Sequence, residues 1–113
     1  MPIQEKQLGQ VRNTTGGTAE SAYSPGSGVT GVIKQIVICN QTGTADTFSI
    51  YLDDDGSTYD EETALFKDAA IAANDTVIVN CYIPMNNASG NLAVEAATTD
   101  AVTFTVLGLE ITA

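Results

Sequence analysis

Histidine and tryptophan are absent from this 113-residue chain, and lysine and arginine together number four. Without histidine there is no Ser-His or Cys-His pair to activate a nucleophile, and no His-containing zinc site. Two cysteines, Cys39 and Cys81, do not close a structural zinc site by themselves. With three Phe, four Tyr and no Trp there is little from which to build a sugar-binding platform. Lys6, Arg12, Lys34 and Lys67 are too few and too scattered to neutralise a run of phosphates, so neither nucleic acid nor an anionic membrane surface is an expected partner. No stretch approaches the roughly 20 apolar residues that span a bilayer. Met1 to Lys6 has no apolar core of a secretory signal, and folding in a cytoplasm is expected. In a reducing compartment Cys39 and Cys81 read as buried free thiols. A disulfide between them would need Cα atoms within about 7 Å, and that alternative stays open.

What the chain has is acid. Fourteen Asp and Glu give a net charge of −10. Charged residues are nevertheless only 16% of the whole, and Thr, Ser, Asn and Gly take their place, a composition suited to strands and tight turns. The length suits one domain. Residues 1–28 differ from the rest. They hold half of the ten glycines, Lys6 and Arg12 cancel Glu5 and Glu20, and their large apolar groups are few: Ile3, Leu8, Val11 and Tyr23. Such a segment buries little surface by itself. The expected organisation is an extended N-terminal arm over 1–28 and a β-sandwich domain over 29–113, which carries the whole −10.

From residue 29 the pattern is of strands. Gly31 to Asn40 is rich in β-branched residues, and its far end is apolar on both faces. Thr47 to Asp53 alternates, with Phe48, Ile50 and Leu52 inward and Thr47, Ser49 and Tyr51 outward. Asp75 to Pro84 puts Val77, Val79, Cys81 and Ile83 on one face, and Pro84 ends it. Asn91 to Ala97 and Val102 to Ile111 are two more strands, with a bulge expected at Gly108, where the apolar residues switch parity. Glu61 to Ala73 makes a poor helical stripe and reads as a short strand and loop. The fold class is therefore all-β, an antiparallel β-sandwich of immunoglobulin-like or jelly-roll type with an extended N-terminal arm. The strands are too few for a full eight-stranded jelly roll besides an arm.

The candidate chemistry is thin. Asp53, Asp54, Asp55, Asp60, Glu61 and Glu62 crowd into one turn-rich loop, whereas a glycosidase needs two carboxylates facing each other across a cleft. With Gly56 at the sixth position of a calcium-binding EF-hand loop, Asp53, Asp55 and Glu62 fit, but the first position falls on Tyr51. A solvated acidic loop is the expectation, with no metal and no cofactor. Gly16-Gly17 and Gly26-Ser27-Gly28 lack the Lys-Ser/Thr of a phosphate-binding loop. Asn-x-Ser/Thr sequons at Asn13, Asn40, Asn74 and Asn87 carry little weight without a secretory signal.

The run Phe48-Ser49-Ile50-Tyr51-Leu52-Asp53-Asp54-Asp55-Gly56-Ser57-Thr58-Tyr59-Asp60-Glu61 resembles a group of small virion proteins of tailed bacteriophages. So do Ile36 to Asn40, Gly90 to Val94 and Phe104 to Ile111, with Leu8-Gly9-Gln10 and Tyr23-Ser24-Pro25 near the start. The resemblance runs from about residue 8 to residue 112, in strand and turn patterns with no catalytic signature. It implies a structural, non-enzymatic β-sandwich of the assembled particle, made in the bacterial host's cytoplasm. The favoured role is a capsid decoration or cement protein on the outer surface of the shell. The alternative is a tail, neck or head-fibre module. The implied partners are the major capsid protein and copies of the chain itself, with a trimer favoured. The arm would make the contact through Leu8, Gln10, Val11, Arg12 and Tyr23.

Overall fold

The computed structural model describes residues 2–112. Eight strands carry the fold: β1 (Ile3–Arg12), β2 (Glu20–Tyr23), β3 (Val29–Asn40), β4 (Asp46–Asp53), β5 (Ala64–Ile71), β6 (Thr76–Met85), β7 (Asn91–Ala96) and β8 (Val102–Thr112). They form two four-stranded sheets, β1-β8-β3-β6 and β2-β7-β4-β5, and every neighbouring pair is antiparallel. One rule orders both sheets: β1 lies beside β8, β2 beside β7, β3 beside β6 and β4 beside β5. That is a long antiparallel ribbon folded at its middle and wrapped into two layers, the winding of a jelly roll. The expected β-sandwich is present, and of the two windings considered it takes the jelly roll.

The core follows from alternation. Ile36, Ile38, Phe104 and Val106 of the first sheet face Phe48, Ile50, Leu92 and Val94 of the second, and all are buried. The Phe48 and Phe104 rings meet edge to face at 6.3 Å across the two layers. Each such side chain contributes about 2 kcal/mol by leaving water.

The expected division at residue 28 does not describe the chain. Half of the supposed arm is strand: β1 pairs with β8 from Ile3 opposite Ile111 to Arg12 opposite Thr103, and β2 pairs with β7. The physical reason is that β1 is an edge strand. Only Leu8 and Val11 turn to the core, and backbone pairing to β8 supplies what side-chain burial does not. The two extra strands complete the eight that a jelly roll needs.

The bulge expected at Gly108 lies in its neighbours instead. β8 runs straight through, while β1 carries an extra residue at Leu8, opposite the Val106–Leu107 step, and β3 one at Lys34, opposite the Leu107–Gly108 step. β6 adds a further residue there, with Cys81 and Tyr82 facing Lys34. A Cβ at Gly108 would collide with the Val32 carbonyl, so glycine lets the bulged strand close in.

Candidate interaction surface

The outward face of the β1-β8-β3-β6 sheet can be read from its register. One row runs Ile78, Val37, Thr105, Gln10, and the next runs Asn80, Gln35, Leu107, Gln7. Two large apolar side chains stand out of this sheet at β6, Ile78 (57% exposed) and Tyr82 (68%). Lys34, at the bulge, places its ammonium 5.6 Å from the Tyr82 ring centre. The bulge line leaves a shallow groove of about 410 Å³ bordered by Glu5, Lys34, Gln35, Asn80, Leu107 and Leu109.

Charge is segregated between the sheets. The four strands of this sheet hold Lys6, Arg12 and Lys34 against Glu5 and Glu110. The remaining twelve carboxylates, against Lys67 alone, lie on the other sheet and in the loops. One face is thus nearly neutral and partly apolar, and the rest of the molecule carries the negative field.

The acidic loop after β4 is tied up in its own turns. The Asp53 carboxylate accepts backbone N–H groups from Thr58, Ser57 and Asp55, and these bonds hold its carboxyl below the usual range. Gly56 takes a φ of 74° at the turn. Among the described residues no group of three or more His, Cys, Asp or Glu converges as a metal would require. The loop folds back over β4, and Tyr59 packs at 6.1 Å from Tyr51. Tyr51 faces away from the core, as its alternation requires, yet is only 1% exposed. Its hydroxyl donates to Glu95 and accepts from Lys67 at 3.0 Å. Ser49 is buried on the same face and accepts the Asp68 N–H at 2.9 Å. Alternation within β4 could not reveal this second cover, because residues distant in sequence provide it.

The five residues expected to bind a partner are divided by the fold. Leu8 and Val11 pack against the core, and Tyr23 is buried with its hydroxyl on Glu110. Gln10 and Arg12 remain on the outward face, Gln10 bonded to Thr105 and Arg12 3.6 Å from Asp100. The thiols are free but only half-buried, and they sit on opposite faces of one sheet. Cys39 points outward beside Thr76 and Thr103, whereas Cys81 packs inward, where burial pushes its thiol up. Two of the sequon asparagines, Asn13 and Asn40, are fully buried and hold loops together. Asn13 donates to the Thr18 carbonyl and Glu20 and accepts the Ala96 N–H.

No family model and no curated protein matches the chain. Two solved structures have a partly similar course of chain. In a structure of infectious bursal disease virus Gx strain the identity is 11% and the TM-score 0.42, over 98% of this chain and 31% of that one. For the Gt strain the values are 12%, 0.36, 96% and 31%. This chain spans about a third of each, and at these TM-scores the likeness carries no argument about function.

Proposed function

We propose that this chain is a structural protein of a tailed-phage particle, and that it decorates the outside of the capsid with its β1-β8-β3-β6 face against the shell. The observation that carries the reading is the segregation of charge. A near-neutral face bearing Ile78, Tyr82, Val37 and Leu107 can be desolvated against a partner at low cost. The other sheet and the loops, with twelve carboxylates between them, cannot, and they stay in solvent. Packaged DNA is anionic as well, so an acidic body favours the exterior over the interior. The resemblance to small tailed-phage virion proteins supports the same placement, as does the jelly roll, a winding used in viral shells but also elsewhere.

The partners on this reading are the major capsid protein and other copies of this chain. Gln10 and Arg12 contribute to the docking face, while Leu8, Val11 and Tyr23 hold the strands that present it. No catalytic role and no cofactor are proposed. The test is the copy number in purified particles. Hundreds per virion are expected of a capsid protein, and a dozen or fewer would place the chain in the tail, neck or a fibre.

A further inference from the structure

Sheet edges are templates for further pairing, and proteins ordinarily guard them with charge, bulges or short length. Three of the four edges here are guarded. β1 carries Glu5, Lys6, Arg12 and a bulge, β2 has only four residues, and β5 carries Lys67 and Asp68, with Asp68 at a φ of 50° and the register broken twice. β6 contains no charged residue, and among the described residues its outer side pairs with no strand. From Thr76 to Asn80 it is regular, each residue directly opposite one of β3 from Cys39 to Gln35. The bulge and Pro84 come only later in the strand.

We infer that the regular half of β6 pairs with the same segment of a second copy, antiparallel about a twofold axis at Ile78. The sequence Thr76-Val77-Ile78-Val79-Asn80 is nearly palindromic about its centre. Antiparallel pairing there sets Ile78 against Ile78, Val77 against Val79 and Thr76 against Asn80. Each contact answers an exposure in the single chain. Ile78 is 57% exposed on the outward face, and Val77 and Val79, though turned to the core, are only half-buried. β-branched cross-strand pairs are the favoured kind. The contact is isologous, so it closes at two copies, and the row Ile78-Val37-Thr105-Gln10 continues across the axis into its mate. The near-palindrome selects a second copy as the occupant, because the same segment run in reverse supplies the matching residues. The segment meets its mate without a like-charge pair, whereas the acidic loops of two such chains repel. A twofold pair takes the place of the trimer that the phage resemblance favours, and the inference does not depend on the proposed capsid role.

The experiment is sedimentation of the full chain at rising concentration, at low and at about 0.5 M salt. The expected result is a weak monomer–dimer equilibrium between 11.7 kDa and twice that mass, shifted toward dimer by salt because each copy carries −10. Ile78→Lys, at an exposed position, should keep the circular dichroism and melting of the parent and remain monomeric. Ile78→Val should still dimerise. Ile78→Cys should form a disulfide dimer under mild oxidation, in a yield that the native thiols of the parent do not reach. A parent that is monomeric at about 1 mM, a trimer, a dimer indifferent to Ile78→Lys, or failure of the cysteine cross-link would each overturn the inference.

Discussion

The Tyr23 hydroxyl donates to the Glu110 carboxylate at 2.8 Å, joining β2 of one sheet to β8 of the other. Lys6 reaches the second oxygen of the same carboxylate at 3.1 Å. The two bonds hold the Glu110 carboxyl below its usual range. Burial, then the bond to Glu110 and its charge, push the Tyr23 hydroxyl up. The ring reaches this position because residue 31 is glycine, where a Cβ would collide with it.

The pH dependence follows by sign. A depressed carboxyl contributes stability that is fully present above its unfolded pKa of about 4.3 and is lost as pH falls through the lower folded value. A raised tyrosine contributes stability that is fully present below about 10 and is lost as pH rises beyond that. Tyr23→Phe should therefore cost about 1–2 kcal/mol at pH 7, and the cost should shrink below about pH 4. Urea unfolding of parent and variant at pH 7 and pH 3 measures the difference. An equal cost at both would mean that the bond does not depend on the charge of Glu110.

Asn40 is the second polar anchor. Its amide donates to the Thr44 carbonyl at 2.9 Å and the Ala72 carbonyl at 3.2 Å, and its Oδ1 accepts from Thr42. Asn40→Ala removes these bonds from a fully buried side chain, while the freed groups of Thr42, Thr44 and Ala72 stay within reach of water, and should cost about 1–2 kcal/mol. Asn74 holds a φ of 56° in an exposed turn, so Asn74→Gly should change stability by less than about 0.5 kcal/mol. Thermal melts of the two variants side by side test the contrast, and equal effects would contradict it.

Strands with a regular core-facing side were legible from sequence, β6 with its one wet and one dry face most clearly, and β4 too although its other face is also covered, because the period of two survives wherever a core lies on one side. β1 was not, because Ile3-Gln4-Glu5-Lys6-Gln7-Leu8-Gly9-Gln10-Val11-Arg12 spends most of its side chains in water and is held by a partner about a hundred residues away. The candidate surface was hidden for a related reason. The net charge is plain in the sequence, but which strands share a sheet, and so which face is nearly neutral, depends on the winding.

Truncation tests the place of the N-terminal strands. Removal of residues 1–28 takes away β1 and β2, and with them the cover that Leu8, Val11 and Tyr23 give the core. The truncated chain should be insoluble or unfolded by circular dichroism. A soluble truncated chain with the parent's β-spectrum would restore the reading of this segment as a separate arm.

The docking face is testable by charge. Val37→Glu and Gln35→Glu introduce carboxylates into the centre of the near-neutral face and should abolish retention on particles in sedimentation while leaving the melting of the free protein within about 1 kcal/mol. Glu61→Gln and Glu62→Gln, on the acidic loop, should leave retention unchanged. Loss of retention in the loop variants but not in the face variants would reverse the orientation.

The last prediction follows from the proposed capsid role. A protein that binds the assembled shell, and binds its separated subunits less well, stabilises the shell by linkage, and a modest contact is multiplied over many copies. Particles lacking this chain should therefore assemble and fill, but release DNA at a lower temperature or on removal of stabilising ions. Adding the purified protein back should restore the release temperature in proportion to the copies bound. Salt should act on the two contacts in opposite senses. Screening relieves repulsion between neighbouring acidic bodies, whose twelve carboxylates lie on the other sheet and in the loops, but weakens any pairing of Lys34 or Arg12 with the shell. If the apolar part of the face dominates, occupancy at about 0.5 M salt should equal or exceed that at low salt. An unchanged release temperature, with a dozen or fewer copies per particle, would instead assign the chain to the tail, neck or a fibre.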